Sequence, residues 1–523
     1  MCQNELSTAL IFKCVDFSLR KVLTFNLIWL TTSSFTFMQK LLLQRYYLFV
    51  SRLSARIASE VSLWICDLFR FADGAAFCHD DTREGLVKIA RMSLHKHYPK
   101  MIQDGFEALF SRPPVIYLTS NTYVDIAHYV CTQLGLPLST ISVLRPENSS
   151  IEAVFNEDKA AGRLPILCIA NVHSSLYQGT SPSYFESTCR KANVWLHLEG
   201  HALAALALLL DSKRPPPSAD SLSLTIGSWI GVPAVPFVTL YKISGMEDIA
   251  NHAGLTTVHP SVRLNCLPLW CVLRSLGEDQ FKFRINNIFE MMEVLNNKMA
   301  EFKSIRILSQ RPEHQDFVSV HEVAKADFDL DKVFSTVSPA LAFQYVSNNP
   351  PDASERVPDY FNNLNSWLGQ TMQRDCGQIP LEIVDVETTG YVLRLCPFES
   401  LAFSGVSLTD DDLEAFIIGL ENQTSILNAT VSQREKFIEL IRSEEKLDLV
   451  EIPHWAGLGG VCYVPPDLRK MTTEAKEDPE APKGYSKEEL QQINHRNLQL
   501  VNQLRMLDSA FSLGEGGSGK VSN

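Results

Sequence analysis

No two of the twelve cysteines, which run from Cys2 to Cys462, stand in a CxxC spacing. With Cys168 inside the apolar run PILCIA and Cys271 inside PLWCVL, this absence excludes a zinc-ligand set and a disulfide framework. It reads as free-thiol usage in a reducing, intracellular setting, the cytoplasm, with no metal site expected. Positive charge is short as well: 47 Lys and Arg stand against 60 Asp and Glu, a formal net charge of -13. Such a surface repels phosphate backbones and excludes nucleic acid as the principal ligand. HExxH and GxSxG are missing, and no dinucleotide fingerprint follows the first expected strand. The segment GEGGSG, from Gly514 to Gly519, has only the bare spacing of that fingerprint, without a strand before it or room for a helix after it.

A clean membrane-spanning run is also lacking. Val22 to Gln39 carries no charge, but Asn26, Thr31, Thr32, Ser33 and Ser34 dilute it. The stretch reads as a buried or amphipathic element. Its alternative is membrane association, peripheral or anchored, through residues 22–50, which Arg20 and Arg52 flank. Lying behind Lys13 and Arg20, it is too far along the chain for a signal peptide.

What is present is material for a core: 523 residues, 45% of them hydrophobic, enough for about two or three domains. Ile57, Val61, Ile65 and Phe69, with Trp64, predict a helix over 54–70, and Leu86, Ile89 and Ala90 a second over 83–97. Thereafter PPVIYLT, LPLSTISVL, LPILCIANV and VWLHLEG read as strands, separated by helices at 124–134, 151–160 and in SYFESTCRKAN. Apolar strands alternating with helices predict a mostly parallel sheet covered on both faces. Connecting helices follow over 276–308. FVSVHEV, LEIVDVE, YVLRLCPF and LVEIPHWAG, with helices at 410–420 and 434–443, predict a smaller α+β domain over 309–466. A charged, proline-containing linker spans 467–485 and an amphipathic helix 486–511, whose stripe of Leu490, Ile493, Leu500, Leu504 and Leu507 is interrupted by Asn497. That helix fits either a protein partner or docking within the chain. Residues 1–55 form a divergent apolar segment and 512–523 a disordered tail.

Four ordered blocks then carry a resemblance: GRLPILCIANV, CRKANVWLHLEGHALAALAL, ADSLSLTIGSWIGVPAVPFVTLYK and LPLWCVLRSLG. Together they resemble the group II pyridoxal-phosphate (PLP)-dependent decarboxylases, from about Leu63 to Val461. The resemblance implies an α/β, PLP-dependent transferase-like (fold type I) large domain over 56–275, followed by the smaller domain. It also implies a homodimer and PLP as cofactor.

The residues that the resemblance assigns to the cofactor depart from the family pattern. Its aspartate-alanine-alanine block falls on Glu199, Gly200 and His201, so Glu199 takes the place of the carboxylate that pairs with the pyridine nitrogen. Two residues before it, His197 shares a strand face with Glu199, which fits one common site or a satisfied polar pair. Ser228 occupies the position of the Schiff-base lysine, anchored by Trp229, and a hydroxyl forms no imine. In GAAFCHDDTREG the phosphate cup falls on His79, Asp80, Asp81 and Thr82, with two carboxylates where small residues would expose backbone N–H groups. Those carboxylates also suit a helix cap. Tyr123 takes the stacking position over the ring, and Arg263 retains a family arginine while Pro268 replaces a lysine. The expectation is therefore a degenerate, noncatalytic scaffold or regulatory protein in which covalent PLP binding is absent. The alternative is a PLP-dependent carboxy-lyase with an unusual cofactor site.

Overall fold

The computed structural model describes residues 47–119, 124–144, 150–172, 182–209, 219–309 apart from 233, 257 and 258, 333–346 apart from 335, 336 and 338, 356–399 apart from 378, 380, 387 and 388, 410–450 apart from 445, 456–464 and 487–507. The chain divides into two compact units. The first comprises residues 1–344, 376–384 and 392–417, and the second residues 345–375, 385–391 and 418–523. The linker 467–485, the tail 512–523 and Tyr123 lie outside the described residues.

In the first unit a seven-stranded sheet is built from β1 (Gly74–His79), β2 (Pro114–Thr119), β3 (Ile141–Leu144), β4 (Leu164–Asn171), β5 (Trp195–Glu199), β6 (Ser221–Leu224) and β7 (Phe237–Lys242). Its order is β1-β7-β6-β5-β4-β2-β3. β2 to β6 pair in parallel, and β7 runs antiparallel to both of its neighbours. The apolar runs are fully interior because each face is covered. Val115, Tyr117, Cys168, Leu196, Leu198 and Leu240 enter one core, and the alternate residues Ile116, Leu118, Ile169, Trp195 and Tyr241 enter the other. A period of two thus divides each strand between two layers.

Helix α1 (Tyr47–Leu68) buries Ile57, Val61 and Ile65 against the first of these cores, in register with Phe69, with Trp64 half-buried against the same core. This corrects the expectation of membrane association through residues 22–50. Among the described residues no helix is long and apolar enough to cross a membrane, and the described end of that stretch is the start of α1. Residues 22–46 lie outside the described residues.

Helix α2 (Thr82–His97) covers the second core with Leu86, Ile89 and Ala90. β3 is shorter than LPLSTISVL suggests, because Pro137 opens a 3-10 turn over Leu138–Thr140 and has no N–H to give a ladder. Helix α3 (Leu267–Met299) begins before the connecting helices expected over 276–308, with Pro268 in its first turn. Two helical segments meet in it at Gly277, whose φ of 71° suits glycine.

A four-stranded sheet of order β10-β11-β9-β8 combines β8 (Ile305–Ile307), β9 (Leu341–Tyr345), β10 (Leu381–Val386) and β11 (Gly390–Leu395). Helix α4 spans Asp359–Asp375, and α5 spans Asp410–Ser443 without the interruption expected between 420 and 434. The polar run there invites a break, but Thr430 turns its hydroxyl back to the Ile426 carbonyl at 2.9 Å and so stays within the helix. In the second unit β12 (Leu447–Val450) and β13 (Gly460–Tyr463) form an antiparallel pair. Helix α6 (Lys487–Leu507) docks on it within the chain: Ile493 is buried, and the Asn497 carboxamide accepts from the Tyr463 N–H at 2.8 Å and donates to its carbonyl at 3.1 Å.

Candidate functional site

Open parallel sheets bind ligands in the crevice beyond the carboxyl ends of their strands. Here that edge is formed by Asn171 at the end of β4, Glu199 at the end of β5 and the turn that follows each. Gly200 makes the turn after β5 with φ 118°. A Cβ there would lie 2.4 Å from the Val172 carbonyl oxygen and 2.8 Å from Oδ1 of Asn171, so the two strand ends approach each other only because the residue is glycine. Glu199 itself is half-buried. Burial pushes its carboxyl up to about 7, and no hydrogen bond satisfies it among the described residues.

His197, expected to share a site with Glu199, is instead enclosed in the sheet. Its Nδ1 lies 2.7 Å from Ser221 Oγ and its Nε2 3.0 Å from Ser223 Oγ, and burial pushes it down to about 3. Ser221 also accepts the Trp195 indole N–H at 2.8 Å. One strand further on, Thr239 pairs with Ser223 in the ladder, and its hydroxyl lies 2.8 Å from Nε2 of His79. Nδ1 of His79 faces the Asp81 carbonyl at 2.6 Å, so that nitrogen carries the proton and Nε2 accepts from Thr239. A polar row therefore crosses the sheet beneath α2. Gly85 allows the helix this close: a Cβ on it would lie 2.2 Å from Thr239 Oγ1 and 2.8 Å from His79 Nε2.

The loop between β1 and α2 holds the remaining positions that the sequence resemblance assigns to a phosphate cup. Asp81 is the N-cap of α2, its carboxylate accepting the Arg83 N–H at 2.9 Å, while Asp80 is exposed and Thr82 begins the helix. Arg83 also pairs with Asp81 through its guanidinium at 3.3 Å. The helix start thus carries an anion of its own.

Ser228 lies in the short helix Ile226–Trp229 and is 8% exposed. Beside it Trp229 is fully buried and donates its indole N–H to Nδ1 of His201 at 3.0 Å. With Nδ1 accepting, Nε2 of His201 bears the proton and donates to Glu399 at 3.0 Å. Burial opposes ionisation of Glu399, yet the bonds from His201 and Arg394 hold its carboxyl well below the usual range. Cys396 completes a cluster in which the donor atoms of His201, Cys396 and Glu399 lie within 4.8 Å. As built, the cluster is closed by hydrogen bonds: the tautomer set by Trp229 makes Nε2 a donor, and Arg394 reaches both oxygens of Glu399.

Two sequence-level candidates fall elsewhere. Arg263 ends the helix Pro260–Arg263 and is half-buried. Lys242 pairs with Asp220 at 3.3 Å. Because β7 is antiparallel, Lys242 faces Gly74 at the start of β1, whereas Phe237 faces His79 at its end. Lys242 therefore stands at the amino edge of the parallel strands, away from Glu199. Glu399 and Arg394 were not singled out in the sequence. They follow Trp229 by more than 160 residues, and the one available signal was an arginine inside the apolar strand YVLRL.

The comparisons with known proteins agree with this architecture. The PDXDC1-like central domain matches residues 335–431, and the PDXDC1-like second central domain residues 437–522. Human pyridoxal-dependent decarboxylase domain-containing protein 1 is 32% identical over 82% of this chain and 54% of its own length. Human putative pyridoxal-dependent decarboxylase domain-containing protein 2 is 33% identical over 67% of this chain and 76% of its own length. The chain belongs to the group II PLP-decarboxylase-like family.

It spans about half the length of most of the curated relatives it matches. Mouse CSAD, at 14% identity, superposes with a TM-score of 0.56 over 75% of this chain and 81% of its own. Catharanthus roseus tryptophan decarboxylase, solved with L-tryptophan, gives 16% identity and 0.55 over 75% and 81%. These likenesses show the fold: a fold-type I large α/β domain with smaller α+β structure after it.

The family implies PLP, and the residues present fit it poorly. Glu199 offers an unsatisfied carboxylate at the strand edge, which suits a pyridine nitrogen. Ser228 offers no amine, and Asp81 occupies the N–H group that a phosphate would need and would repel the dianion.

Proposed function

We propose that this chain uses a decarboxylase fold in a noncatalytic role, as a scaffold or regulatory protein, and that it forms no covalent link to PLP. Ser228 carries the reading: the position assigned to the Schiff-base lysine holds a hydroxyl, and Lys242 lies at the opposite edge of the sheet. The Asp81 cap at the helix start supports it. An intracellular, cytoplasmic setting is part of the same proposal, supported by the burial of Cys168 and Cys271 in the apolar core.

The second reading is a PLP-dependent carboxy-lyase. The comparisons favour it over the first, since the curated relatives are named for a pyridoxal-dependent decarboxylase domain and the solved neighbours include a tryptophan decarboxylase. Glu199, unsatisfied and raised, adds support. It requires an amine near Glu199 from beyond the described residues.

One experiment separates the two. The purified, dialysed chain is incubated with PLP, its visible spectrum recorded, and the sample reduced with borohydride for intact mass and peptide mapping. The noncatalytic reading predicts no aldimine band and no stable adduct in a folded sample. A band with an adduct on one lysine of the large domain sinks it and makes amino-acid screening the next step.

A further inference from the structure

The second unit contains a cleft of about 560 Å³ that plays no part in the site above. One wall is a stripe of α4: Asn363, Ser366, Trp367 and Gln370, at i, i+3, i+4 and i+7. Ile426 and Thr430 of α5 form the other, and Tyr391 and Gly457 close it. No charged side chain lines it among the described residues, which sets it apart from a site for a phosphate or a free amino acid. Trp367 is 36% and Ile426 51% exposed, so an indole face and an aliphatic surface are both presented. Ser366 and Gln370 bond to each other at 3.1 Å. The Asn363 carboxamide and the Trp367 indole N–H have no hydrogen-bond partner among the described residues.

How this unit uses its other asparagines indicates the occupant. Asn365 of α4 accepts from the Tyr345 N–H at 2.6 Å and donates to its carbonyl at 3.0 Å. Asn362 accepts from the Tyr391 N–H at 2.9 Å. Asn497 holds both backbone groups of Tyr463 in the same way. Twice, in Asn365 and Asn497, a helix presents a carboxamide that takes the place of a neighbouring strand, matching the donor and acceptor of one extended residue, while Asn362 matches the donor of Tyr391 alone. Asn363 stands two residues before Asn365 on the same helix, with its carboxamide unmatched among the described residues and facing a cleft of ligand-pocket size.

We propose that this cleft binds an extended, uncharged peptide segment of another protein. Asn363 holds its backbone as Asn365 holds Tyr345, and Trp367 and Ile426 receive one apolar side chain.

The test uses the full chain. A phage-displayed library of random dodecapeptides is panned on it, and enriched peptides are synthesised and titrated against wild type and an N363A/W367A variant, checked for folding by circular dichroism. The proposal expects peptides with an uncharged core whose affinity falls at least tenfold in the variant and at least tenfold when a central amide is N-methylated. If the double variant does not fold, Q370A with T430V serves for the same readout. The proposal is overturned if no peptide is enriched beyond panning on the variant, if affinity survives the substitutions or N-methylation, or if charged cores are selected.

Discussion

The indole N–H of Trp229 meets Nδ1 of His201 at 3.0 Å, and this contact fixes the ring so that its other nitrogen faces Glu399. Phe398 stacks on the same imidazole, with centroids 6.1 Å apart and planes within 9°. Trp229→Phe removes this donor and leaves Nδ1 only the longer contact to the Thr225 hydroxyl at 3.4 Å. A loss of about 1–3 kcal/mol is expected, read as a lowered urea midpoint with unchanged slope.

His197 and Glu199 should respond to pH with opposite sign. Burial holds His197 at about 3 against an ordinary 6.5, so the unfolded chain binds more protons between those values. Stability from this group is complete above pH 6.5 and declines as pH falls toward 3. Its ring signals in an NMR titration should remain those of neutral imidazole at pH 5, and protonation near 6 would refute the assignment.

Glu199 has its folded value raised from 4.5 to about 7. Its stabilising contribution is present below pH 4.5 and is lost as pH rises through 7. Glu199→Gln should therefore flatten the stability profile over that window and be relatively more stable than wild type at pH 8. Parallel urea curves at pH 5 and pH 8 check this, and identical differences at both pH values would exclude the assignment.

Gly85→Ala tests the approach of α2 to the polar row. The added methyl collides with Thr239 and His79, neither of which can withdraw from a sheet interior without losing its partner. A cost of about 1–3 kcal/mol is expected, measured as a fall in melting temperature. Thr239→Ala in the same chain should recover part of it by removing the nearer atom.

Asp81→Ala should cost about 1 kcal/mol through loss of the cap on α2. It also removes the negative charge nearest the first N–H groups of the helix. Inorganic phosphate should then protect the variant against thermal unfolding more than it protects wild type, and equal protection would argue against Asp81 as the occupant of that position.

Much of this arrangement is legible in the residues. The alternation of apolar strands and helices locates β2, β4 and β5 closely, and Asp81 reads as a cap because carboxylates at a helix start have that use. Ser228 can be placed because Trp229 follows it. Other features depend on contacts remote in sequence. Glu399 and Arg394 become part of the His201 cluster only when the chain returns after more than 190 residues, and no local pattern encodes that meeting. Asn497 looks like a polar interruption of an apolar stripe until the backbone of Tyr463 lies beside it. The continuity of α5 is likewise set by packing of Leu420 and Leu427, both buried, over the weak helix propensity between them.

The reversal of β7 decides which residues can ever take part at the Glu199 edge. Running against its neighbours, it delivers Phe237 beside His79 and carries Lys242 to the far side. Chemistry in this sheet is therefore addressed by strand polarity: an amine introduced at position 237 would arrive at the carboxyl edge, while one at 242, however long its side chain, remains paired with Asp220 on the other shore.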